Sequence, residues 1–269
     1  MFRTSPDLRW LALLVALAGC ASQPDTRSLR HKQAMEWAAQ GERAYLGGNL
    51  ARSEQYYEKA LQSNTGIEHA DGIAANLLSL AQLHIERGEY ERAEAKLQLV
   101  LANRDGLFAS GAQADAAARR AQLALLKRQP DKAAGFAQQA QALCQACASQ
   151  AAIFNLRAQA AFALGQAQAA ADLADQAAAA ADKAQQFVEL ANAKRLLGAI
   201  RLHLKAAAEA VPPLDSARAL DKRLGLPRKI AEDLRLLADA HDMLGRRAEA
   251  EAYRSRERAI RLALDKKAL

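Results

Sequence analysis

Cysteine is the residue type that brings most chemistry to this chain, and its three copies fall in two settings. Cys20 ends the stretch Leu17-Ala18-Gly19-Cys20, directly behind a charged start (Arg3, Arg9) and a short apolar run from Trp10 to Ala18. The run is too short to cross a bilayer as a helix, and the thiol behind it is a nucleophile placed where a targeting segment ends. Cys144 and Cys147 bracket Gln145-Ala146. Such a pair can close a local disulfide, remain as two buried thiols, or take part in redox or metal chemistry. The last has little to build on: there is no second CxxC for zinc, no following His for haem, and no strand-then-helix pattern for a thioredoxin-type site. The pair reads as a staple, and a loop this short constrains the unfolded chain by about 2 kcal/mol at best.

The other reactive types are scattered. The histidines stand at 31, 69, 84, 203 and 241 and do not pair at metal-ligand spacing. No phosphate loop, nucleophile elbow, HExxH or pair of carboxylates in a glycine-framed turn occurs. The expectation is therefore a binding protein, with no enzyme activity, metal, cofactor or small-molecule substrate. The net charge of +7 is spread along the chain. It reads first as a solvated surface, then as a preference for acidic partners or anionic lipid, with nucleic acid not expected.

Helices must position whatever binds. From Ala74 to Val100 the apolar residues Leu77, Leu78, Leu80, Leu83, Leu97 and Val100 follow helical spacing on both sides of Gly88, which predicts one helical hairpin. A lone hairpin leaves an apolar face unburied, so copies must stack. A small residue of the second helix recurs as Ser53, Ala93, Ala133, Ala170, Ala210 and Ala250, at intervals of 40, 40, 37, 40 and 40 by subtraction. Five residues earlier comes the breaker: Gly48, Gly88, Arg128, Gly165, Lys205, Gly245. The small residue of the first helix recurs as Gly41, Ala81, Ala121, Ala158, Gly198 and Ala238. Hydrophobic content is 51% but aromatics are only 5%, so packing comes from closely approaching helices rather than a large aromatic core. Pro212-Pro213, near the start of the fifth unit's second helix, is expected to bend the chain there. His84 and His241 share one repeat position and read as packing residues. The last helix, with Arg254, Arg256, Arg258 and Arg261, reads as a polar cap on the stack.

These positions resemble the tetratricopeptide repeat (TPR): Gly41, Gly48, Ser53, Tyr57, Ala60 and Leu61 match its motif in the first copy, and Leu80, Ala81, Gly88, Tyr90, Ala93 and Leu97 in the second. The resemblance implies an all-α, right-handed superhelical solenoid of about six hairpins with a period of about 40 residues, longer than the usual 34. It also implies a concave groove lined by the first helices. By alignment the groove carries Asn155, Gln159, Asn192, Arg195, Glu232, Arg235 and Asp239 toward one end, and Met35, Tyr45, Leu46, Leu78, Ile85, Leu125 and Leu126 toward the other. That gradient suits an extended peptide or partner helix that is apolar at one end and charged at the other.

Leu17-Ala18-Gly19-Cys20 is similar to the lipobox of bacterial lipoproteins at all four positions. By that resemblance Cys20 is lipidated and becomes the first residue, 1–19 is the signal peptide, and 20–32 is a lipidated start and flexible tether ahead of a solenoid over 33–265. Several acyl chains anchor stably where one does not. No Asp follows Cys20, which by the same resemblance favours the outer membrane, on its periplasmic side. Together these readings imply a lipid-anchored scaffold that binds protein partners in envelope assembly. Narrower forms are a pilotin-like lipoprotein for a type IV pilus or secretion pore and an adaptor for peptidoglycan enzymes. A redox protein built on Cys144 and Cys147 is the reading from a different class.

Overall fold

Apolar residues at helical spacing, interrupted at regular intervals by a breaker, fold into twelve α-helices in the computed structural model, which describes residues 28–265. They are α1 Leu29–Leu46, α2 Leu50–Thr65, α3 Ala70–Glu86, α4 Tyr90–Ala102, α5 Ser110–Leu126, α6 Pro130–Leu143, α7 Gln150–Ala163, α8 Ala167–Lys183, α9 Phe187–His203, α10 Ala207–Leu224, α11 Pro227–Met243 and α12 Arg247–Asp265. Each odd-numbered helix pairs with the one after it, and each second helix packs against the next first helix. From α3 to α11 the first helices also touch the first helix of the following unit, whereas successive second helices do not pack together in this way. First helices therefore crowd on the inner face of the stack and second helices spread over the outer one. This is the expected all-α, TPR-like solenoid of six hairpins. They bury one another within 28–265, so this stretch is a folding unit of its own.

The turns explain the breakers. All six breaker positions have positive φ: Gly48, Gly88, Gly165 and Gly245 lie between 72° and 77°, and Arg128 and Lys205 adopt 55° and 62° without the freedom of glycine. At the second turn the Gly88 N–H donates to the Ile85 carbonyl at 3.0 Å and the Glu89 N–H to that of His84 at 2.8 Å. The same pair of bonds recurs at the other five, so each first helix closes its last carbonyls with one Schellman motif. Between units, Gly225 with φ 67° ends α10 ahead of Pro227; within the third hairpin, Pro130 takes the first turn of α6, where a missing N–H costs nothing.

The predicted small residues are where helices meet. Ser53, Ala93, Ala133, Ala170, Ala210 and Ala250 are all fully buried. Ser53 Oγ satisfies itself by donating to the Gly41 carbonyl at 2.9 Å. A Cβ on Gly41 would stand 2.9 Å from the Tyr57 ring, and one on Gly198 would overlap Leu214. In α8 the buried face is alanine alone: Ala167, Ala170, Ala171, Ala174, Ala177, Ala178 and Ala181. The residues beyond the usual repeat length lie in the helices: α3, α5, α9 and α11 each have 17 residues, and α7 has 14. The three missing from α7 account for the 37-residue interval.

Three expectations need correction or placement. The helical part starts before residue 33: Ser28 Oγ accepts the His31 N–H at 3.1 Å and caps α1 at Leu29, so the end of the expected tether is helix. Pro212 and Pro213 lie inside α10, which begins at Ala207 and continues as helix through both. The carbonyls deprived of donors, on Ala208 and Glu209, belong to exposed residues, and water can serve them. Segment 1–19 and Cys20 lie outside the described residues. Among the described residues no helix is long and apolar enough to cross a membrane.

Candidate functional site

Asn155 and Gln159 stand on α7, Asn192 and Arg195 on α9, and Glu232 and Arg235 on α11, the first helices of the last three units. The spacing that aligns the repeats puts all six around one hollow of about 530 Å³. Leu156, Leu196 and Leu236 give it apolar ground, and its lining comes from first helices throughout, so it opens on the inner face. Asp239, the seventh predicted residue, lies outside the lining but pairs with Arg235 at 3.0 Å.

The six differ in what they offer. Gln159 and Arg235 are exposed. Asn155 is buried: its Nδ2 donates to the Glu189 carbonyl at 3.0 Å and to Glu189 Oε2 at 2.7 Å, which ties α7 to α9. Glu232 pairs with Lys229 at 3.6 Å. Arg195 corrects the sequence reading, for it is 5% exposed and faces the interior. Its Nε donates to Asp233 Oδ1 at 2.7 Å, its Nη2 to Asp221, and its Nη1 to Asn192 Oδ1 at 3.1 Å. Each of its three nitrogens thus already holds a bond within the fold, and its charge is shared with two buried carboxylates.

Asp221 and Asp233 are the residues that sequence reasoning missed. They come from α10 and α11, are 1% and 0% exposed, and share one guanidinium between two carboxylates. Burial pushes the Asp233 carboxyl up to about 7 against the pull of Arg195, and burial raises Asp221 as well. The signal for Asp233 was present: it stands on the apolar stripe of α11, three residues after Ile230 and four before Leu237. An acid on such a stripe needs a buried cation.

The apolar end of the groove is shorter than the alignment implied. Leu78 packs with Leu77, Ala81, Leu97 and Val100, and Ile85 with Ala93 and Leu123, so both belong to the core. Met35, Leu46 and Leu126 are exposed, while Tyr45 and Leu125 are half-buried. Tyr45 donates to Glu86, and burial with that bond raises its hydroxyl to about 12. His84 is packed as expected, with Nδ1 2.8 Å from Glu89 Oε2, and the His241 ring lies 5.2 Å from that of Tyr253.

Cys144 and Cys147 form a disulfide, with Cα atoms 5.1 Å apart, in the turn that caps α6. Of the readings open from sequence, the structure shows the local staple. Cys144 sits at a helix C-terminus, where the dipole disfavours a thiolate, the opposite of the placement that activates redox cysteines.

Fold and groove together define a class, a solenoid of TPR-like helical hairpins. No protein-family model matches the sequence, and no curated protein matches it. Among solved structures the chain is similar to the apo form of RapI, with a TM-score of 0.68 and 14% identity over 96% of this chain and 90% of that one. It is similar to BtubC (BKLC) from P. vanneervenii, with a TM-score of 0.64 and 17% identity over 89% and 93%. A chain of nearly identical TPR-like repeats from Podosopora anserina gives a TM-score of 0.56 and 21% identity over 71% and 96%. At such identities the likeness establishes the fold alone.

Proposed function

We propose that this chain is a lipid-anchored scaffold on the periplasmic side of the outer membrane, whose concave groove binds a protein partner during envelope assembly. The observation that carries the groove half is the single hollow across α7, α9 and α11. Leucines beside exposed amide and charged groups suit a peptide or helix with both apolar and polar side chains. Gln159, Glu232 and Arg235 supply the accessible contacts, while Arg195 ties α9 to α10 and α11. The anchor half rests on the residues Leu17 to Cys20.

Crosslinking in living cells tests the groove. A photoreactive residue at Gln159 should capture one envelope protein, and Arg235→Glu should abolish the capture. The same probe at Gln176, exposed on the outer helix α8, should capture nothing. Capture of the same protein from both positions, or from neither, would overturn the groove as the working surface. The anchor is tested separately: labelled palmitate should enter the wild type and not Cys20→Ser, and an unlabelled wild type would refute it.

A further inference from the structure

Among the described residues no unit precedes the first hairpin, and α1 packs against α2 with no earlier helix on its other side. Trp37 holds the repeat position that Leu77 and Ala117 fill in the next two units, where they cluster with Leu61 and Leu101 of the preceding second helix. With no preceding helix to cover it, Trp37 stays half-exposed and stacks on Tyr56, ring centroids 5.7 Å apart. Lys59 Nζ stands 4.6 Å from the Trp37 ring centre, and the Arg52 guanidinium 5.6 Å from that of Tyr56, to whose oxygen Arg52 Nε donates at 3.1 Å. Arg43 and Arg52 both border an open hollow of about 400 Å³ between α1 and α2, and neither pairs with a carboxylate among the described residues.

Charge is segregated across this hairpin. Glu42 accepts from Tyr57 within the hairpin, and Glu54 accepts from Arg87 and Arg92 of the second unit, so both acids are already engaged. Arg43, Arg52 and Lys59 are left exposed at this end; of the hairpin's other acids, Glu36 bonds to Gln40 at 3.5 Å and Glu58 is exposed next to Lys59 in the chain. Aromatic rings with a polar edge, flanked by exposed arginine and lysine, are the side chains that settle at the boundary between lipid and water.

We propose that this end face lies on an anionic lipid surface, with phosphate headgroups held by Arg43, Arg52 and Lys59 and with Trp37 and Tyr56 at headgroup depth. The chain outside the structure supports this occupant. Ser28, where the described chain begins, starts the same hairpin, and Cys20, the anchor of the function proposed above, stands eight residues before it. Whatever anchors the chain through its N-terminal segment therefore holds this hairpin nearest the bilayer. The contact is independent of acylation, because it uses side chains of the folded part.

The test uses the chain from Ser28 onward, a folding unit with no acylation site and with Trp37 as its sole tryptophan. Vesicles of phosphatidylcholine are compared with vesicles containing phosphatidylglycerol. The protein should sediment with the anionic vesicles, release at high salt, and show a blue-shifted Trp37 emission that brominated lipid quenches. Arg43→Glu with Arg52→Glu should weaken sedimentation at least tenfold, in line with roughly 1 kcal/mol per basic residue near such a surface. Helical circular dichroism checks that this pair folds, and Arg43→Gln with Lys59→Gln gives a milder variant with the same expected direction. Equal binding to both vesicle types, Trp37 emission unmoved by anionic vesicles, or unchanged binding by the folded variants would each overturn the proposal. None of these readouts involves the groove, so the scaffold reading stands or falls separately.

Discussion

Asp233 carries a consequence that can be worked out by sign. Its carboxyl is raised by burial to about 7, against an ordinary aspartate near 4. Below the ordinary value the group is neutral in the folded and unfolded chain alike, and its contribution to stability is complete. As pH rises, the unfolded chain ionises first while the folded chain keeps the proton, so stability falls and the loss is complete above about 7. Asp233→Asn keeps the neutral shape at every pH. Its melting temperature should therefore rise relative to wild type between about pH 4 and pH 7, and a constant offset across that range would show that Asp233 is not linked to folding. Arg195→Ala leaves two buried carboxylates without a cation and should cost about 3 to 5 kcal/mol by urea denaturation. The sequence put Arg195 at the right place along α9, bordering the hollow, but not the two buried carboxylates that hold its charge. Spacing locates a residue on a helix surface, but only the arrival of Asp221 on α10 shows which neighbour claims its charge. Leu78 and Ile85 were misplaced for a related reason: first helices pack on several sides, so their apolar stripe is wider than a groove position allows.

At the scale of the element, the chain was most legible where a constraint is local. A left-handed turn needs no knowledge of distant residues, so the aligned breakers located all six hairpin turns, even where Arg128 and Lys205 replace glycine. A side chain in that conformation costs about 1 kcal/mol. Arg128→Gly and Lys205→Gly should each stabilise the fold by roughly 0.5 to 1 kcal/mol, and Gly88→Ala should do the reverse, read from urea midpoints. A loss of stability in both glycine variants would mean that those side chains contribute contacts outweighing the strain. The disulfide belongs to the same scale. Because Cys144 and Cys147 close so short a loop, Cys144→Ser with Cys147→Ser should lower stability by no more than about 2 kcal/mol. What was not legible locally was the start of α1, because Ser28 looks like linker until its bond to the His31 N–H is seen.

At the scale of the molecule, each unit touches only its neighbours, and this decides how damage spreads. The last helix packs chiefly on α11: Ala250 is fully buried, Tyr253 joins the cluster of Leu236 and Leu237 with Leu214 of α10, and Arg254 pairs with Asp242. Its outer face is polar, as the arginines in the sequence implied, and it closes the end of the stack. A chain ending at Leu244 would uncover that apolar face of α11 and remove the support that holds α11 against α10. Strain would then fall on the Arg195, Asp221 and Asp233 cluster, whose three charges need all three helices in place. In a stack coupled only between neighbours, a loss at one end weakens nearby units and fades with distance. Hydrogen exchange on the truncated chain should therefore show lost protection in α9 to α11 and unchanged protection in α3 to α6. Uniform loss from end to end would instead mean that the six hairpins fold as one cooperative block, and that the groove across α7, α9 and α11 depends on the whole solenoid rather than on the units that line it.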